Sequence, residues 1–248
     1  MAKWVYFFIE HKNREMDAIE QLAARLLKDF SICSRIVSLF FHSYLLLRLP
    51  KPSLVVLPFA IRDEDWLLRM VRERFGDDVP VLNLCWEQLL SGANKAYKRP
   101  QGEYLCRQMY YVAWQEDFRF YLVESGVRSD RIRVCGNPNV SLLADMEDQA
   151  DAIRLRIRSL FSISDDQKIC FLPMNYGWAF MSEREVLNRI RQGYDSEHAY
   201  GYYSFSKSCL DAFIVFIKEV SARFDDICFV IRPHPGVSVS SYEQLLKG

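Results

Sequence analysis

The sequence is short of the residues that interrupt chains: 248 residues contain 10 Gly and 9 Pro. That excludes collagen-like, repeat-built and linker-rich architectures. It also carries no net charge, with Lys+Arg 32 against Asp+Glu 32. A long basic stripe for gripping nucleic acid is therefore not expected, although a local patch can still hold one nucleotide. No apolar run reaches the roughly 20 residues that cross a bilayer. The most apolar stretch after the N-terminus, residues 36–49, is broken by His42 and Arg48. The opening run, residues 4–9, is too short for a signal peptide and leads straight into Glu10-His11-Lys12. Seven Cys, at 33, 85, 106, 135, 170, 209 and 228, include no C-x-x-C pair. Their odd number, and the apolar settings of most of them, suit reduced thiols in a cytoplasmic protein rather than zinc ligands or a disulfide scaffold. With four His, no Ser-His-Asp or Cys-His set can be assigned, and Walker loops, G-x-G-x-x-G spacing and metal-ligand clusters are missing. No metal is expected.

What is present is the ordinary material of a globular chain, 50% hydrophobic and 26% charged, with 14% aromatics. Short apolar runs alternate with amphipathic segments, the pattern of parallel strands joined by crossover helices. Strands are expected at 5–9, 32–38, 54–57, 81–84, 110–114 and 131–135. Helices are expected at 16–28 (Ile19, Leu22, Ala23, Leu26 and Leu27 facing the core), at 64–75 behind an Asp63 cap, and at 116–124. A long polar helix over 140–161 reads as a connector. The pattern then restarts with a strand at 168–173, a polar stretch to 201, a helix at 206–224 and a strand at 227–232. Phe213, Phe216, Ile217 and Val220 mark that helix's core face. The fold class is α/β, with two Rossmann-like domains. They divide as 1–160 and 161–248, and the second, with two convincing strands, is expected to be incomplete.

Loops at the carboxyl ends of strands carry the chemistry-bearing residues, where open α/β sheets bind ligands. Arg232-Pro233-His234-Pro235 follows a strand, and its guanidinium and imidazole can both donate to a phosphate. The same loop suits a proline-stiffened connection with a solvated His. Glu10, Arg14 and Glu15 can bind sugar hydroxyls or supply a general base, or form a solvated loop with Glu15 at a helix start. Glu87 beside Trp86 gains a partly apolar setting that raises a carboxylate toward a useful base; the alternative is a helix-start Glu with Trp86 in the core. Gly136-Asn137 offers backbone N–H groups at a strand-to-helix turn. Asn175 and Gly177 end the first strand of the second domain.

In order, Phe8–Ala18, residues 81–88, residues 132–138 and residues 229–235 resemble bacterial surface-carbohydrate biosynthesis proteins, GT-B-type glycosyltransferases. Their motifs include an "iE-x-k-x-RE-x-d" start, an I-x-V-x-G-N-P turn and an R-P-H-P strand end. The last is shared with CDP-glycerol glycerophosphotransferases and Kdo- or sialyl-type capsule transferases. The resemblance implies a GT-B-like architecture and metal-independent inverting transfer of a sugar or glycerol phosphate to a glycan or lipid-linked glycan acceptor. The donor is then a nucleotide conjugate, CMP- or CDP-linked, and no separate cofactor is used. Arg232, His234, Pro235, Gly136, Asn137, Asn175 and Gly177 become the nucleotide and phosphate contacts. Glu87 is the first choice of base, with Glu10 and Glu15 as alternates, and Arg14 and Trp86 serve the acceptor. Such a protein is cytoplasmic, or peripheral at the inner face of the cytoplasmic membrane. Where those relatives often have Asp after the G-N-P turn, this chain has Asn139-Val140-Ser141. The competing expectations are a truncated, non-catalytic binding or assembly module and a UDP-sugar epimerase.

Overall fold

The computed structural model describes residues 3–39, 48–90, 92–234 and 236–247. It divides into two compact units, Met1–Glu147 and Asp148–Gly248.

In the first unit six parallel strands form one sheet: β1 (Trp4–Ile9), β2 (Cys33–Ser38), β3 (Leu54–Leu57), β4 (Val81–Asn83), β5 (Tyr110–Ala113) and β6 (Ile132–Val134), in spatial order β2-β1-β3-β4-β5-β6. The order in which strands are added changes side at β1/β3, the switch point where such sheets take ligands. Alternation along β1 assigns the two faces. Val5, Phe7 and Ile9 pack with Ala18 and Ile19 of α1 (Lys12–Phe30), while Tyr6 and Phe8 join Leu68, Val71 and Phe75 of α2 (Trp66–Phe75) and Leu105, Phe118 and Leu122. The latter come from α4 (Glu103–Arg107) and α5 (Glu116–Glu124). A short α3 (Gly92–Tyr97) precedes α4, and α6 (Pro138–Glu147) closes the unit against α1.

Two details depart from the sequence reading. Leu27 is exposed, because the buried stripe of α1 runs through Glu15, Ala18 and Ile19, with Leu22 and Leu26 partly buried beside it, and Leu27 lies beyond its edge. Asp63 does not cap α2; its carboxylate accepts from the backbone N–H groups of Tyr104 and Leu105, both at 3.0 Å, and so caps α4 from a distant loop. Asp65 precedes α2 instead, and its carboxylate is turned back to Ile61 and Arg62.

The expected connector helix is two helices, α6 and α7 (Ala150–Leu160), broken at Asp148-Gln149. Met146-Glu147-Asp148 sets two carboxylates at the negative end of α6, and Asp is a poor helix former. The unit boundary accordingly falls at 147/148 rather than near 160, and α7 belongs to the second unit.

That unit holds a parallel pair, β7 (Lys168–Pro173) and β8 (Ile227–Arg232), in register from Lys168↔Ile227 to Pro173↔Arg232. The polar stretch is not loop. It contains a 3₁₀ turn (Gly177–Phe180) and α8 (Glu183–Arg191), whose Ser182 and Glu185 form a reciprocal capping box. After it, α9 (Ser196–Arg223) starts well before residue 206. A further helix, α10 (Val239–Lys247), follows β8. Leu210 and Ile214 of α9, Met174 and Tyr242 form the core of this unit, and Ile217 is also buried. Phe216, expected inside, is 54% exposed; it lies on the outer side of α9 from Ile214 and Ile217. No helix among the described residues is long and apolar enough to cross a membrane.

Candidate functional site

At the carboxyl end of β1 the chain turns into α1 through Glu10 and His11. The backbone N–H groups of both donate to the Glu15 carboxylate, at 2.9 and 3.3 Å. Arg14 grips the same carboxylate through Nε at 3.1 Å and Nη2 at 2.7 Å. Glu15 is fully buried. It ties the turn together, and with no solvent access it is not the exposed base that the sequence reading allowed as an alternate.

Arg14 gathers two more carboxylates, donating to Glu10 at 3.2 Å and to Glu87 at 2.7 Å. Its neighbours hold its pKa above the usual guanidinium value: burial alone lowers it, and Glu15, Glu87 and Glu10 together reverse the shift. Glu87 arrives on the loop after β4. Asn83 fixes the start of that loop, donating to the Ala60 carbonyl and accepting from the Cys85 N–H. Gln88 fixes its end, donating to the Val112 carbonyl and accepting from the Trp114 N–H. Lys98 donates to the Glu87 carboxylate at 2.9 Å and to its carbonyl at 3.1 Å.

The expected environment of Glu87 is therefore corrected. Partial burial pushes its carboxyl up, but Lys98 and then Arg14 outweigh that and hold it below 4.5. Trp86, expected at the acceptor, is buried at 4% exposure in the core beside Leu84 and Ile9. The Cys85 thiol is also no nucleophile, since burial, only partly opposed by Lys98, pushes its pKa up to about 12. Lys98 went unnoticed in the sequence because a lone Lys in a polar stretch carries no spacing signal; only the fold brings it to Glu87.

A depressed carboxylate stabilises the fold above its unfolded pKa, and that contribution is lost as pH falls through the lower folded value. The Glu87 side chain is 54% exposed, so screening by water limits its ion pairs to about 1 kcal/mol or less. Urea midpoints of Glu87→Gln and the parent chain are expected to differ slightly at neutral pH and to converge as the pH falls well below 4.5 and the carboxylate is protonated. A difference that grows in acid contradicts this pairing.

Gly136 and Asn137 form the turn from β6 into α6. Gly136 has φ +80°, and the Asn137 side chain accepts from the Asn139 N–H at 3.0 Å. Cys135 beside them is exposed. This turn is built as an N-terminal cap, and a Cβ at Gly136 would meet nothing within 4 Å.

In the second unit, the loops after β7 and β8 converge on His234. The Gly236 N–H donates to its Nδ1 at 3.1 Å. A Cβ built at Gly177 would lie 3.5 Å from the same nitrogen, so the backbone of the β7 loop runs alongside the ring. With Nδ1 accepting, the neutral ring carries its hydrogen on Nε2, which is left to donate outward. Arg232 is exposed at the end of β8, its carbonyl accepting from the Met174 N–H at 2.9 Å. Asn175 is exposed on the neighbouring loop. Pro235 lies outside the described residues. Thus Glu10, Arg14, Glu15 and Glu87 form one network in the first unit, and the Gly177 backbone passes beside the His234 ring in the second.

No protein-family model and no curated protein matches the sequence. Among solved structures, the chain is similar to a UDP-GlcNAc 2-epimerase from Neisseria meningitidis bound to UDP-GlcNAc. The likeness has a TM-score of 0.54 at 14% identity and covers 100% of this chain and 69% of the other. It establishes a GT-B-like α/β fold with Rossmann-like parallel sheets, and at that identity nothing finer.

Proposed function

We propose that the protein acts on nucleotide-activated sugars, as a metal-independent glycosyltransferase of cell-surface polysaccharide synthesis. The observation that carries this reading is His234: a ring steered by the Gly236 N–H and flanked by Gly177, with Arg232 at the same strand end. Such a pair suits the phosphate of a CMP- or CDP-linked donor, Nε2 and the guanidinium donating to its oxygens. In the first unit, Glu10 is the carboxylate we take as the candidate base. Glu15 is sealed, and Glu87 is held at short range by Arg14 at 2.7 Å and Lys98 at 2.9 Å, whereas Glu10 has Arg14 at 3.2 Å and only a longer contact to His11 Nε2, at 3.8 Å. The acceptor oxygen bonds to the anomeric carbon as the bond from that carbon to the donor phosphate oxygen breaks. The phosphate leaves with both electrons, and a carboxylate base takes the proton.

The test is a titration of the full chain with CMP, CDP, UDP and GDP, followed by thermal shift and calorimetry. A cytidine nucleotide is expected to bind, stabilising the fold by about 2.7 kcal/mol at a hundredfold excess over Kd. His234→Ala is expected to weaken that binding about tenfold or more, a charge-assisted phosphate contact being lost. Absence of binding by all four nucleotides, or an unchanged Kd in the variant, overturns the reading.

The structural likeness to an epimerase supports a second reading, conversion of a UDP-sugar without an acceptor. Consumption of UDP-GlcNAc by the protein alone would favour it. A strict requirement for a glycan acceptor favours transfer.

A further inference from the structure

Between Arg191 and Lys207 the chain has no Lys or Arg, yet it carries Tyr194, Tyr200, Tyr202, Tyr203 and Phe205 together with Asp195, Glu197 and His198. In α9 the inward positions here are Ala199 and Ser206, both buried. The large rings therefore point elsewhere: Tyr200 is 41% exposed, Tyr202 44% and Phe205 64%. Tyr202 is not loosely held. Trp178 of the 3₁₀ turn meets Tyr202 edge to face at 5.4 Å and Tyr194 at 5.7 Å. Beside them is an open depression of about 450 Å³ lined by Asp195, Glu197, His198, Gly201, Tyr202 and Phe205. The space at Gly201 is open, since a Cβ there would meet no atom within 4 Å.

We propose that this depression is a glycan-binding subsite that takes a neutral pyranose. The proposal rests on the transferase reading for the identity of the glycan as acceptor. Its chemistry follows from the lining. Tyr202 and Phe205, three residues apart on one helix, lie side by side on one surface rather than boxing in a centre. A ring face is the negative side of an aromatic quadrupole and receives the weakly positive C–H face of a sugar. Glu197 accepts from sugar hydroxyls, and so does the Asp195 oxygen left over after capping the His198 N–H at 2.8 Å. His198 supplies a ring that donates or accepts. Two carboxylates with no Lys or Arg in the lining disfavour a phosphate or an acidic sugar.

The experiment is saturation-transfer NMR on the full chain with maltohexaose, cellohexaose and chitohexaose, and with a trimethyllysine peptide as the cationic comparator. At least one hexasaccharide is expected to bind with saturation on its ring C–H protons. Tyr202→Ala and Phe205→Ala, both at exposed positions, are each expected to weaken it about fivefold or more with an unchanged far-ultraviolet spectrum. His234→Ala is expected to leave saccharide binding unchanged, and Tyr202→Ala to leave nucleotide binding unchanged, so the two readings fail separately. The subsite is overturned if none of the three saccharides binds, if binding survives both ring substitutions, or if only the cationic peptide binds.

Discussion

Arg14→Met is expected to destabilise the N-terminal unit by about 3–5 kcal/mol, the cost of stranding a buried charge. The substitution keeps a long apolar stem over α1 but removes the cation from a carboxylate that solvent cannot reach. Glu15 keeps the N–H groups of Glu10 and His11, at 2.9 and 3.3 Å, and loses both guanidinium contacts. Glu10 and Glu87 also lose their shared cation, but they are less buried, at 24% and 54% side-chain exposure, and water offsets much of that loss. The second half of the argument is a rescue. Glu15→Gln, placed in the Arg14→Met background, replaces the stranded charge with an amide whose oxygen still accepts from the turn. It is expected to recover about half of the lost stability, whereas the same change in the parent chain destabilises it. Urea unfolding followed by a probe in the N-terminal unit measures all four chains, because a two-unit protein need not unfold in one step. Simple additivity of the two substitutions would show that Arg14 and Glu15 are not coupled.

This pair also shows where the sequence stops being legible. The apolar runs at 54–57, 168–173 and 227–232 coincide with strands, and residues 116–124 with a helix, because periodicity and apolarity are local properties. The reach of Asp63 to residue 104 is not local, and nothing in Arg62-Asp63-Glu64 distinguishes a cap for the next helix from a cap for one forty residues on. The candidate acids divide for the same reason. Glu10, Glu15 and Glu87 are equivalent as letters; only burial sets Glu15 apart as an anchor, and only Lys98 gives Glu87 a cation that Glu10 lacks. Trp86 is core rather than platform because Ile9 and Leu84 close over it. Some misses did have a local signal. Ser182-Glu183-Arg184-Glu185 is a capping box in the sequence itself, and it marks the start of α8 inside what reads as polar loop. The break at Asp148-Gln149 likewise follows from acids at a helix's negative end. The exposed rings of α9 had no such signal, since aromatic residues on a long helix read as core until burial is known.

Gly102→Ala is expected to be at least as damaging as the loss of Arg14, about 3 kcal/mol or more, and for a reason that involves no charge. Gly102 has φ +121° and ψ 158°, backbone that residues with a Cβ do not adopt without strain. The space is closed as well. A Cβ there would overlap Cγ and both carboxylate oxygens of Asp63. Asp63 cannot swing clear cheaply. Its carboxylate caps α4 through the Tyr104 and Leu105 N–H groups, and its loop is stitched to the same segment by Asp63 N–H to the Gln101 carbonyl at 3.1 Å and Gln101 N–H to the Ile61 carbonyl at 2.8 Å. Behind that cap lie Tyr104 and Leu105, both buried in the core on that face of the sheet. Relieving the clash therefore costs the cap, the strap or the packing. Asp63→Ala separates these contributions. It removes the cap and opens the space but leaves the backbone angle untouched, so it is expected to cost about 1–2 kcal/mol by itself. In the Asp63→Ala background, Gly102→Ala is expected to lose part of its effect and keep the backbone strain. Gly102→Ala with near-parental stability in the same urea titration would mean that residues 101–105 can be rebuilt without cost, and the role given to Asp63 would then be wrong.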